Sequence, residues 1–351
     1  MSAFIYKQNS SKFSDISYKL KDNVVEMDPA LKSVIEKYWN ESSFTLVVDK
    51  NNYKQLSEKN KLMESNIYVN FEHNKGFKLT KLEKSNKDYI ELTFEKAKPD
   101  EIFAYLEIPK QIVKLDSTNF KANEDTSITG EFSTDYHRID LNNKVLVNNT
   151  YANVVANGYI EIISPAIIGY INSSSYEIGF IGHVYSDIKI TSDFKASKTY
   201  RVKVAEYGID CEVGEAVLGI YIIVRAGGSA SVELDFQQET WIDVGVNGDC
   251  MGYLPTSAQP YDWSHSWSYI NISNFTATVW TAVGLNPRAA VTIMDWDLVA
   301  LDPEAGILAR LDYINGDYRL RGWGYLDIDV AALDDDYNVY YKEWLIYDEW
   351  F

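Results

Sequence analysis

Four carboxylates, Glu233, Asp235, Glu239 and Asp243, occupy odd positions of one strand-like run. Side chains two apart on a strand stand about 7 Å from each other, a separation open to the acid and base of glycoside hydrolysis. A solvated acidic face gives the same pattern, and like charges in a row also blunt an edge strand against unwanted pairing. Three further groupings, Asp295-Trp-Asp297, Asp327-Ile-Asp329 and Asp334-Asp335-Asp336, offer the hard oxygen ligands that calcium takes from loops and turns. None follows the EF-hand pattern. Asp334, Asp335 and Asp336, expected at a hairpin tip, are the candidate Ca²⁺ ligands, and no other cofactor is expected.

A second kind of chemistry is recognition. Between Met251 and Ser266 the chain has two prolines, and Tyr253, Tyr261, Trp263 and, just beyond, Trp267 gather there with Ser, Gln, Asp and His. Aromatic rings flanked by hydrogen-bonding groups suit sugar rings, so these four residues are the candidate ligand-binding set. Aromatics that cap the end of a sheet are the competing explanation.

Catalytic signatures are absent from the sequence: no G-x-S-x-G, Walker loop, H-E-x-x-H or G-x-G-x-x-G occurs. The four histidines, His73, His137, His183 and His265, are far apart. Cys211 and Cys250, the only cysteines, flank the central run; they join only if folding brings their Cα atoms within about 7 Å. Two free buried thiols is the expectation.

The elements that must carry these residues read as strands. Val232, Leu234, Phe236, Ile242, Val244 and Val246 take even positions, whereas Ser231, Glu233, Asp235, Gln237, Glu239, Asp243 and Asn247 take odd ones. A period of two sends successive side chains to opposite faces, so this is a long strand with one oily and one acidic side. Leu218, Ile220, Ile222 and Val224 precede it, and Ala226-Gly227-Gly228-Ser229 between them reads as a hairpin turn. A second ribbon, Ile307–Tyr313 with Leu320–Val330, turns at Asn315-Gly316. In alternation and glycine-rich turns, Val217–Val246 is similar to the long β-ribbons of large surface proteins of Gram-positive bacteria, without a family signature. Abundant Lys, Asn, Ile and Tyr accord with an AT-rich bacterial or phage genome.

Earlier in the chain, Asp28-Pro29 announces a helix over residues 28–39, with Leu31, Val34, Ile35 and Tyr38 on one face. The polar stretch 54–64 is open to a short helix or a loop. From Ile67 to Leu115, short strands recur at roughly 11-residue spacing, the mark of a small antiparallel sandwich. Three parts are therefore expected: a polar N-terminal arm, 1–27; a small β-sandwich-like domain, 28–120; and a large acidic antiparallel β domain, 121–351. The fold class is mainly β, an antiparallel β-sandwich or jelly-roll with long hairpins, preceded by the small β-rich domain with one short helix.

Charge sharpens the division. The 351 residues carry a net charge of −18; residues 1–120 hold 19 Lys and Arg against 18 Asp and Glu, and the remainder 14 against 33. So acidic a surface repels phosphate backbones and anionic headgroups, so neither nucleic acid nor membrane insertion is expected. No secretory signal or apolar span appears.

The expected function is a non-enzymatic structural or adhesive protein, a subunit of an extracellular, spore-surface or virion-surface assembly. Its copies would join as fibre or lattice by strand or arm exchange, which needs backbone hydrogen bonds and no special side chains. The partner is then the protein itself. A carbohydrate-binding module, with a polysaccharide partner, is the alternative, and a glycoside-active enzyme with paired carboxylates the third. The expected site is a cell, spore or virion surface, with the cytosol left open.

Overall fold

Alternation decides the architecture. Leu218, Ile220, Ile222 and Val224 are all buried, whereas Val217, Tyr221 and Arg225 on the alternate positions are only partly buried. The computed structural model describes residues 13–351 except 85–87, 117, 119, 122–134, 212, 252–253, 258, 262–263, 278–279, 315–316, 333–334 and 351; along parts of 232–279 and 312–350 the backbone alone is described. The protein is mainly β, with 71% strand and 11% helix.

The N-terminal region comprises β1 (Ser17–Leu20), β2 (Val24–Glu26), α1 (Pro29–Ile35), β3 (Ser43–Asp49), α2 (Lys50–Asn60), β4 (Ile67–Asn70), β5 (Lys75–Lys84), β6 (Tyr89–Lys96), α3 (Pro99–Ile102) and β7 (Phe103–Lys114). Asp28 caps α1 by accepting from the Leu31 amide at 2.9 Å, and Leu31 and Ile35 are fully buried. Strands β2-β4-β5-β6-β3 form one sheet, with β2 parallel to β4. Leu31 and Ile35 from α1 and Leu56 from α2 join Tyr68, Phe77, Leu92 and Phe94 of that sheet in one core. This unit is therefore a sheet packed with helices, not a small sandwich. Helix α2 escapes a periodicity argument because Tyr53 and Leu56 are its only large apolar residues.

Residues 17–26, expected within a free arm, pair inside the chain: β1 with β7 and β2 with β4. Pairing also crosses residue 120, since β7 runs antiparallel to β11 (Ala152–Ile171). Before β11 come β8 (Phe120–Lys121), β9 (Tyr136–Asp140) and β10 (Lys144–Asn148). One edge of β11 receives β10, β9 and β7 in succession, end to end. The Ser164-Pro165 irregularity, with Ser164 at φ 50°, divides the β9 and β7 stretches. At Gly158, φ 104° and the nearby Asp187 carbonyl leave no place for a Cβ.

Next come β12 (Ser175–Phe194), β13 (Lys198–Cys211), β14 (Gly214–Ala226) and β15 (Ala230–Met251). They are followed by β16 (Leu254–Pro255), β17 (Gln259–Tyr261) and β18 (Ser264–Ala277), then β19 (Trp280–Ile293), β20 (Trp296–Ile314), β21 (Asp317–Ala332) and β22 (Asp335–Trp350). The ten-stranded sheet has the main order β1-β7-β11-β12-β15, with β16, β17 and β18 pairing β15. The seven-stranded sheet has the order β22-β21-β20-β19-β14-β13-β8. The two pack face to face over one core containing Ile162, Ile178, Phe180, Ile220, Val283, Ile307 and Ile328. At about 3.3 Å per residue, the 20-residue β11 and β12 run about 65 Å.

The pair β14 and β15 corrects the expected central hairpin. Strand β14 pairs β13 and β19, whereas β15 pairs β12 and β18, so the glycine link 227–228 carries the chain from one sheet to the other. Ala230 and Val246 of β15 lie in the same core as Leu218, Ile220 and Ile222 of β14. Alternation is satisfied equally by facing and by neighbouring strands. The second ribbon is a true hairpin: β20 and β21 pair as far as Ile314 opposite Asp317.

Candidate functional site

The outward face of the seven-stranded sheet holds a largely buried polar cluster. On β20 the core takes Val299, Leu301, Ala305 and Ile307, which turns Asp302, Glu304 and Gly306 outward. On β19 the same logic turns Gly284, Asn286 and Arg288 outward, and on β21 Tyr325 and Asp327. Gly284, Gly306 and Tyr325 lie in one row across three strands. The glycines make room for the tyrosine: a methyl on Gly306 would meet the Tyr325 hydroxyl at 2.5 Å, and one on Gly284 would meet it at 2.6 Å.

Glu304 is 5% exposed, accepts from the Tyr325 hydroxyl, and pairs with Arg225 of β14. Burial raises its carboxyl above the ordinary range, against the opposing effects of Arg225 and Tyr325. Tyr325, wholly enclosed, is raised far above the usual phenol. Beside them Arg201 grips Asp302 with a fork of 3.0 and 2.6 Å, and Asn286 donates to the same carboxylate at 2.6 Å. Arg288 pairs with Asp297, and Thr292 donates to Asp297 at 2.8 Å. The guanidinium of Arg201 covers the Tyr221 ring at 4.2 Å, and Arg321 covers Trp323 at 4.9 Å.

A raised carboxyl is what a general acid requires. Both oxygens of Glu304 are nevertheless held, so a substrate would have to displace Tyr325 or Arg225. The arrangement ties β13, β14, β19, β20 and β21 together through their polar side.

Of the residues singled out by sequence, Asp297 belongs to this face, paired with Arg288. Tyr253, Trp263 and Asp334 lie outside the described residues. Tyr261 is in β17 and Trp267 in β18, both on strands that pair β15, but their side chains lie outside the description. The backbones of Asp335 and Asp336 open β22, opposite Ala332 and Ala331, and their side chains likewise lie outside it. Of the acidic row on β15, Glu233 pairs with Lys189, and Gln237 donates to Asp187 at 3.0 Å; for Glu239 and Asp243 the backbone alone is described. Asp295 and Asp297 are paired with protein cations. Among the described residues no group of three or more His, Cys, Asp or Glu is placed to hold a metal ion. Cys211 is a free thiol that burial pushes up to about 12; the side chain of Cys250 lies outside the described residues.

A second feature is an edge. Strand β22 ends the seven-stranded sheet and, among the described residues, pairs only β21. Tyr341 and Leu345 on it are 53% and 54% exposed; beyond residue 151 they are the described large hydrophobic side chains left in solvent.

No family model matches the chain, and none of the curated proteins or solved structures compared with it is similar.

Proposed function

We propose that the protein is a non-enzymatic structural or adhesive subunit of a surface assembly, joined copy to copy by strand addition. The observation that carries this reading is the sixteen-residue terminal strand β22 with Tyr341 and Leu345 in solvent. A sheet edge presents amides and carbonyls that a further strand can pair; the acids of β22, Asp335, Asp336, Glu343, Asp348 and Glu349, disfavour a second acidic strand there and favour a basic one. The mutual pairing of the buried charges on the adjoining face supports a load-sharing role over a reactive one. A net charge of −18 opposes self-association, so assembly should strengthen as salt screens it.

Electron microscopy of the purified full chain, at low and at roughly 0.15 M salt, tests the reading. Fibres or lattices that thicken with salt support it. Particles that remain single at every salt and protein concentration overturn it.

A further inference from the structure

We infer that residues 1–12 of one copy add as a strand along the edge of β22 in the next copy, the edge that no described strand pairs. This rests on the assembly reading above and names its two surfaces.

Where the N-terminal segment emerges is fixed. Phe13 is 6% exposed in the main core, and its ring fills the space above Gly169 of β11. Ser14 is bound to Gln111 of β7 in both directions, amide to Oε1 at 2.9 Å and Nε2 to carbonyl at 2.6 Å. The chain preceding Phe13 therefore starts at the β7–β11 flank. From there the row across the ten-stranded sheet reads Gln111, Gly169, Ile178, Val246 and Pro260, on β7, β11, β12, β15 and β17. Four strand spacings amount to about 19 Å. Strand β22 lies against β17, at the far flank. Donor root and acceptor edge thus occupy opposite sides of the sandwich. A contact between two different surfaces is heterologous, and placing them on opposite sides favours an open filament over a closed pair.

Charge and pattern select this occupant. Strand β22 carries Asp335, Asp336, Glu343, Asp348 and Glu349 against a single Lys342. Residues 1–12 carry Lys7 and Lys12 and no carboxylate, in a chain whose net charge is −18. A second β22 would set like charges side by side; the N-terminal segment brings opposite ones. Ala3-Phe4-Ile5-Tyr6 supplies strand-forming apolar residues for Tyr341 and Leu345 to meet. Twelve extended residues span about 40 Å, most of the length of the sixteen-residue acceptor.

The test uses the full chain, a variant lacking residues 1–12, and a fluorescein-labelled peptide of residues 1–12. The peptide should bind the shortened protein saturably, at one per chain. Binding should fall at least tenfold in Tyr341→Lys/Leu345→Lys, and be unchanged in Val145→Lys, which alters an exposed residue on β10. Filaments of the full chain should disappear on removing residues 1–12. A peptide that does not bind, or binds the double variant equally well, overturns the inference. Filaments that persist without residues 1–12 overturn it while leaving the assembly reading intact. A full chain that stays single while the peptide binds overturns both, because the segment then folds back on its own copy.

Discussion

The indole nitrogen of Trp296 donates to the carbonyl of Ala97 at 2.8 Å, across 199 residues of sequence. Trp296 opens β20 and Ala97 follows β6, so this bond joins the helix-bearing N-terminal sheet to the seven-stranded one. Around it, Asp295 receives Lys75 at 2.7 Å and Lys96 at 3.4 Å, and its carbonyl accepts from Lys96 at 2.6 Å. The Lys96 ammonium also lies 4.5 Å from the centre of the Trp296 ring. Met294 and Asp295 both adopt positive φ, 51° and 66°, as a tight two-residue turn demands.

Asp295→Ala should therefore loosen the N-terminal unit from the sandwich. It leaves two lysines side by side, of which Lys75 is only 13% exposed. We expect a loss of about 1–2 kcal/mol, discounted because the aspartate is partly in solvent, and earlier protease cleavage between the two units. Trp296→Phe should act in the same direction, and urea unfolding followed at two probes, one in each unit, checks both.

The buried cluster on the outer face separates charge from shape. Tyr325→Phe removes one donor from Glu304 and should cost about 1–3 kcal/mol. Arg225→Ala should cost more, because it strands a buried carboxylate. Replacing the pair together, Arg225→Met with Glu304→Leu, should recover much of that loss. Urea midpoints of the four proteins give the comparison.

Gly306→Ala should destabilise by about 1–3 kcal/mol through overpacking, since its methyl would meet both the Tyr325 hydroxyl and the Val283 carbonyl. Adding Tyr325→Phe should relieve only part of this, because the carbonyl belongs to the backbone. Thermal midpoints of the single and double variants decide the matter.

His137 supplies a pH test. It is fully buried on β9 and meets the Tyr207 ring of β13 edge-on, with centroids 5.2 Å apart, so it bridges the two sheets. Desolvation lowers its pKa below the ordinary 6.5, against the opposing effects of the Leu115 backbone bond, Asp116 and Asp135. The unfolded chain then binds the proton more readily than the folded one. The contribution to stability is complete above pH 6.5 and declines as pH falls toward the folded value. Between pH 7.5 and 5.5 the wild-type protein should lose more thermal stability than His137→Phe; equal losses would exclude the mechanism.

What was legible in the sequence was what a single segment determines. The Asp28-Pro29 cap, the apolar face of β14 and the hairpin pairing of β20 with β21 each depend on residues close together in the chain. Glu304 was not legible, because its partner Arg225 lies 79 residues away and becomes a neighbour only through the β14–β19 pairing. Neither was the role of Gly227-Gly228, since facing strands and adjacent strands impose the same alternation. Helix α2 escaped because a polar helix on a sheet needs few apolar residues to stay docked.

The passage of the chain between sheets after β12, β14 and β18 has a temporal consequence. Strand β14 must wait for β19, more than fifty residues later, before its second edge is covered. Neither large sheet can therefore be completed before the other is well advanced, and folding should be slow and all-or-none across both. The helix-bearing unit has its own interior within residues 27–94 and can settle first. During synthesis it would stand as a finished cap on a growing ribbon, so the most hazardous interval for mispairing falls between the emergence of β14 and that of β19.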